Sequence, residues 1–324
     1  MSQTDTNQRG VLTRSAAIAS MSVAMLLLAM KIYATIHTGS TAMLGSLADT
    51  ALDVVASLVT LIGVWVAAIP ADRDHRFGHG KAEALAALVQ VVLISISAVG
   101  IAMRAISRWI EGGQVEEAEL GITVSIIAMV ATVALLVWQR HVIRKTGSVA
   151  IRTDHVHYQS DILLNLGVIA ALALDQYAGL TGADPFFAIA IAAWLGWNAW
   201  QASQHAVEQL MDREWPVEKR QRLLDAVRDN PDLHGLHDLR TRTAGVRDFA
   251  QFHITVDPQM TVAEAHDVMD AIEAKLLREF PDTEFLIHTD PEGHVEPDVG
   301  LPVDLLSEGA AADVSPEGAI LRPG

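Results

Sequence analysis

The sequence predicts a membrane protein of six transmembrane helices followed by a small cytoplasmic α+β domain. Three observations carry this reading. The 324-residue chain is 51% hydrophobic with a mean hydropathy of +0.28, too apolar for a soluble domain of that length. Six apolar segments, each near or above the ~20 residues a helix needs to cross a bilayer, cover residues 15–36, 41–69, 82–109, 120–142, 147–177 and 185–210. From about Glu214 onward, charged positions alternate with apolar ones and short strand-like runs appear.

The segments are punctuated by Gly39, Pro70, Gly112-Gly113, Gly147 and the 179–185 stretch. The polar start, residues 1–13, lacks the apolar core and cleavage site of a signal peptide and is expected to be a cytoplasmic tail. The second and fifth segments, and parts of the third, are rich in Ala, Ser and Gly, which lets helix backbones approach closely in lipid. Basic residues alternate with loop parity. The second loop holds Arg73, Arg76 and Lys81, and the fourth holds Arg140, Arg144 and Lys145, with Arg152 just beyond. The first, third and fifth loops hold none, so both termini are expected in the cytoplasm. Arg104 and Arg108 lie near the outer end of the third span, where snorkelling or pairing with Glu111 is expected. The Trp residues in the spans need only be interface anchors or core.

The domain boundaries fall at 14–212 for the transmembrane part and 213–292 for the cytoplasmic part. In the latter, residues 216–229 read as a helix, 237–243 and 248–256 as strands joined through Ala244-Gly245, 262–280 as a helix and 284–288 as a short strand. Thr261 and Glu264 form a capping box at the second helix. The order α-β-β-α-β predicts helices on one face of an antiparallel sheet. Residues 293–324 are rich in Pro, Gly, Ala and acids without periodicity, and a disordered acidic tail is expected.

Composition also excludes. A formal charge of −16 argues against nucleic acid as a partner. The absence of cysteine removes disulfides and thiolate ligands, leaving His, Asp and Glu to hold a metal. No nucleotide-binding glycine pattern and no HExxH helix occur.

Three clusters bear on chemistry. Asp49 and Asp53 stand four residues apart in the second span, and His157 and Asp161 four apart in the fifth. On a helix such pairs share a face, and each ionisable residue costs about 2.5–3.5 kcal/mol at the bilayer centre on insertion scales. Interhelical hydrogen bonding explains lone polar residues in membranes, but not three Asp and one His at matched spacing. One intramembrane metal site follows, suited to tetrahedral Zn²⁺ or a similar ion. Three carboxylates and a neutral imidazole carry −3, so a divalent ion leaves −1, and His157 is the natural group to exchange a proton for metal. The second cluster, Asp72, His75 and His79, lies in a loop that Gly78 and Gly80 let bend. Spacing alone leaves it balanced between a weak metal site and a hydrated loop. The third comprises His237, His253, His266, His288 and Asp290, where surface histidine is the alternative, as it suffices for His234 and His294.

Together these motifs resemble the cation diffusion facilitator family of divalent-metal/proton antiporters, over about residues 14–291. The carriers are GSTAMLGSLAD ending at Asp49, PADRDHRFGHGKAE from Pro70 to Glu83, HYQSD from His157, LMDR from Leu210, HDLRTR from His237, QFH ending at His253 and IHTDP from Ile287. The resemblance implies six transmembrane helices, a metallochaperone-like (ferredoxin-like) cytoplasmic domain and a homodimer in the bacterial inner membrane. It assigns transport to Asp49, Asp53, His157 and Asp161, and a loop site to Asp72, His75 and His79. A binuclear cytoplasmic site is implied, with His237, His266 and Asp290 at one metal and His253, His288 and Asp290 at the other. Lys81 and Asp212 are implied as a charge interlock between the domains. Val156 and Thr289 depart from the residues frequent in close relatives. The function expected is export of Zn²⁺ in exchange for protons, with Zn²⁺ also a structural or regulatory ion and Cd²⁺ or Fe²⁺ as further substrates. A membrane-anchored metal sensor without transport is the alternative. A membrane metallohydrolase would need an open metal position that four protein ligands do not leave.

Overall fold

The computed structural model describes residues 3–38, 41–111, 119–178, 183–228, 233, 235–245 and 247–293. The expected acidic tail and most of the third and fifth loops lie outside them. The described chain divides into a helical unit and a soluble unit.

The helical unit holds six long helices: α1 (Gln3–Thr38), α2 (Thr41–Ala67), α3 (Ala82–Glu111), α4 (Glu119–Thr146), α5 (Val149–Ala178) and α6 (Ala183–Leu210). Among the described residues, four contain stretches long and apolar enough to cross a membrane: Gln8–Ile36, Asp49–Ala67, Ala82–Ser107 and Ile127–Thr146. Polar residues that the sequence reading placed in a tail continue helix α1 back to Gln3, since nothing there breaks a helix. Packing relies on small side chains. Ala84, Ala87 and Ala206 are fully buried where α3 meets α6. A Cβ on Gly63 of α2 would lie 2.3 Å from the Cβ of Ala86 on α3, so that crossing admits only glycine. Ala16, Ala17, Val64, Val142, Ala150 and Ile151 form a second buried group drawn from α1, α2, α4 and α5.

The soluble unit comprises α7 (Val217–Arg228), β1 (Gly235–Ala244), β2 (Arg247–Val256), α8 (Val262–Glu279) and β3 (Thr283–Pro291). The sheet order is β1-β2-β3. Gly245, at φ 64°, supplies the turn from β1 to β2. The antiparallel expectation fails for β3, which pairs parallel to β2 with His253 opposite His288. The reason is the connection: an 18-residue helix separates the two strands, long enough for the crossover that parallel pairing requires. Phe252, Ile254 and Val256 of β2 and Phe285 of β3 point into a core closed by Leu223, Val227, Ile272, Leu276 and Trp215. Alternation along β2 therefore turns Gln251, His253 and Thr255 to the opposite face. The capping box is present, with Thr261 Oγ1 accepting from Glu264 N and the Glu264 carboxylate accepting from Thr261 N.

Candidate metal centres

Helices α2 and α5 bring Asp53, His157 and Asp161 together, with one ligand atom from each within 4.8 Å of the others. His157 Nε2 lies 3.0 Å from Asp53 Oδ1, and the His157 ring is buried. Its neighbour Tyr158 is fully buried, with its hydroxyl 2.8 Å from Ser57 Oγ and donating to the Ser20 carbonyl at 3.1 Å, which pins α5 to α2 and α1. Asp49 stands outside this group. Its carboxylate is held by Arg104 of α3 in a two-pronged contact, Nη1 to Oδ2 at 3.2 Å and Nη2 to Oδ1 at 3.4 Å. Arg104 therefore finds a partner across the helix interface, while the Glu111 side chain lies outside the described residues. One residue on from Asp49, Thr50 accepts a hydrogen bond from Lys31 Nζ at 2.5 Å. Sequence reading passed over Lys31, although a lysine within an apolar span is itself a signal.

The loop between α2 and α3 folds Asp72, His75 and His79 into a second group. Asp72 lies 3.4 Å from both His75 Nδ1 and His79 Nε2, and the two rings are 4.5 Å apart. The backbone N–H of His75 at 2.7 Å, aided by that of Asp74, holds the Asp72 carboxyl below its ordinary range. Gly78, at φ 82°, returns the chain so that His79 reaches Asp72. His79 Nδ1 faces the Ile69 carbonyl at 3.3 Å, which makes Nε2 the acceptor nitrogen. All but His79 are well exposed.

In the soluble unit, the nearly buried Asp290 is the hub. Its Oδ2 lies 2.9 Å from His253 Nδ1 and 3.4 Å from His237 Nε2, and its Oδ1 lies 3.1 Å from His288 Nε2. His237, His253 and Asp290 form the compact three-residue group. Parallel register explains the neighbourhood of His253 and His288, whose rings are 4.6 Å apart. His266 does not join them: it is exposed on α8, with Asp270 at 3.9 Å as its acidic neighbour. Its phase on the helix sets it apart from the outer sheet face. Asp238, not singled out from the sequence, has its Oδ2 3.9 Å from His253 Nε2. It sits at φ 48°, a left-handed conformation uncommon outside glycine. Lys81 and Asp212 belong to different units. Within them, Lys81 Nζ donates to the Leu210 carbonyl at 3.1 Å and Asp212 lies 3.6 Å from Arg242.

A helical membrane domain with a buried carboxylate–imidazole group, followed by a small domain with a second such group, defines the cation-transporter class. The chain belongs to the cation efflux family: residues 17–211 match the cation efflux transmembrane domain, and residues 211–292 match the cation efflux protein cytoplasmic domain. It is 41% identical to the cation-efflux pump FieF of Klebsiella pneumoniae over 88% of this chain and 95% of that one. With the pump of the same name from Shewanella oneidensis it shares 40% identity over 91% of this chain and 99% of the relative. The metal-bound C-terminal domain of the CzcD transporter from Thermotoga maritima is 30% identical over 25% of this chain and 94% of that domain, with a TM-score of 0.24.

Proposed function

We propose that the protein is a homodimeric exporter that exchanges cytoplasmic divalent transition-metal cations for protons by alternating access, with Zn²⁺ the leading substrate and Cd²⁺ and Fe²⁺ further ones. The observation that carries the reading is the meeting of Asp53, His157 and Asp161 inside an apolar helix bundle. One imidazole with carboxylates favours Zn²⁺ over the harder ions. Asp49 stands one helical turn from Asp53, about 6 Å along the axis, and completes a four-ligand set when Arg104 releases it. Six spans with both termini in the cytoplasm of a bacterial inner membrane agree with the loop charges. Asp72, His75 and His79 form an accessory loop site on the cytoplasmic side. His237, His253, His288 and Asp290 form the core of a cytoplasmic metal site that supports dimerisation and regulation, with His266 recruited on assembly. Lys81 and Asp212 act between the domains.

Inverted vesicles carrying Asp53→Ala test the assignment. Zinc uptake driven by a proton gradient should fall to the level of empty vesicles, and undiminished uptake would sink it. A sensor without transport predicts no flux from the unaltered protein.

A further inference from the structure

Next to the metal group, but separate from it, five helices converge on Asp154. Its carboxylate is completely buried. Oδ1 accepts from Gln90 Nε2 of α3 at 3.2 Å and from Thr60 Oγ1 of α2 at 3.3 Å, and Oδ2 accepts from Gln139 Nε2 of α4 at 2.7 Å. Ser20 of α1 adds a fourth contact. The same Gln139 nitrogen donates to Ser20 Oγ at 3.0 Å, and the Ser20 hydroxyl donates to the Ala16 carbonyl at 3.1 Å. Gln90, Gln139 and Ser20 are themselves fully or almost fully buried.

No Lys or Arg forms an ion pair with Asp154 among the described residues. The groups facing it from α1, α2, α3 and α4 are uncharged: Ser20, Thr60, Gln90 and Gln139. On its own helix, His157 and Tyr158 are the titratable groups whose fields reach it. His155 meets Gln139 Oε1 instead, at 3.1 Å. A carboxylate buried without a cation is among the costliest arrangements in a protein interior. Its neighbours are donors, and amide N–H groups turned towards a site repel a metal cation. The cation that fits within hydrogen bonds of 2.7–3.3 Å is the proton. Gln90 carries the complement: its Oε1 is buried without a partner among the described residues. A half-turn of that amide offers the oxygen to a protonated Asp154, as the present orientation offers the nitrogen to the carboxylate. Both protonation states thus find partners.

We propose that Asp154 is a proton-binding site coupled to metal occupancy. This rests on the antiport reading above. A divalent ion at Asp53, His157 and Asp161, one turn along α5, favours the charged carboxylate through a low-dielectric interior and expels the proton. Proton return in turn weakens the metal. The exchange is –COOH to –COO⁻ plus H⁺, with no other bond changed.

The test uses full-length protein in liposomes loaded with a pH dye, with zinc on one side. Asp154→Asn keeps the shape and the capacity to hydrogen-bond. A neutral Asn imitates the protonated form, so zinc affinity should fall by about tenfold or more while zinc still crosses down its gradient, and protons moved per zinc fall by about one. An unchanged proton-to-zinc ratio in Asp154→Asn overturns the proposal and leaves the antiport reading standing. Zinc flux without proton movement in the unaltered protein overturns both. If Asp154→Asn does not fold, Gln139→Leu carries the test. As part of a proton site it moves the midpoint of the pH profile of uptake by about half a unit or more at constant KM for zinc. A purely structural hub loses thermal stability with the profile unmoved, which refutes the proposal.

Discussion

On the proposed metal site of the soluble unit, replacing Asp290 by Asn should abolish the stabilisation that metal gives the sheet, and the size of the loss follows from the contacts. Asp290 presents its two oxygens to three imidazoles at 2.9, 3.1 and 3.4 Å. A metal drawn into this group takes at least two of its bonds from that carboxylate or across it. At about 1.5–3 kcal/mol per charge-assisted contact, two contacts amount to about 3–6 kcal/mol. At 1.4 kcal/mol per decade this is a loss of about 10²–10⁴ in metal affinity. Hydrogen exchange of the β2 and β3 amides in the full-length protein reads the effect locally. Zinc at 100 times its Kd stabilises the bound form by ~2.7 kcal/mol, slowing exchange through opening of the domain by about 100-fold. At the same zinc concentration Asp290→Asn sits at or below its own Kd, and slowing shrinks to about twofold or less. Asn is isosteric, so exchange without metal should change little in comparison. Equal slowing by zinc in the variant and the parent would refute the assignment of Asp290 as the hub.

Other expectations follow from the same geometry. Arg104→Gln removes the two-pronged partner of Asp49 and frees it for metal, so zinc affinity of the transmembrane group should rise by about 10–100-fold. Zinc titration of the purified protein checks this, and unchanged affinity means Asp49 takes no part. Leu276→Ala empties a fully buried position in the soluble core and should cost about 2–5 kcal/mol, seen as a lower melting transition for that domain. Thr261→Ala removes the α8 cap at a cost of about 1 kcal/mol, measured in the same melts. Glu264 has a pH signature. The N–H and hydroxyl of Thr261 hold its carboxyl below the ordinary 4.5, so its stabilisation is complete above that value. It is lost as pH falls through the lower folded value. The melting difference between the parent and Glu264→Gln should therefore be present at neutral pH and vanish in acid.

What could be read from the sequence depended on how far the partners lay apart. Asp53, His157 and Asp161 were legible because i,i+4 spacing fixes a helix face whatever the neighbours do. The six apolar runs and the Thr261–Glu264 cap were local in the same sense. The pairing of Asp49 with Arg104 was not, because it depends on the rotation of α2 against α3 across 55 residues. His266 shows the converse: its residue type agrees with the outer cluster, but its place on α8 does not. The parallel pairing of β3 had a usable signal in the long helix before it, and a short strand estimate hid it.

Asp154 escaped notice although its position was informative. Residues 154, 157, 158 and 161 stand at i, i+3, i+4 and i+7, a single stripe along α5. That stripe holds two of the three metal-group residues, the tyrosine tied to α1 and α2, and the buried carboxylate. A rotation of α5 that draws His157 away from Asp53 also draws Asp154 away from Thr60 and Gln90. On the proposed transport cycle, metal release and the loss of the hub's hydrogen bonds are then one movement. A carboxylate losing those donors in an apolar interior must gain a proton. On the proposed antiport, coupling needs no relay between distant sites, because one face of one helix carries both groups.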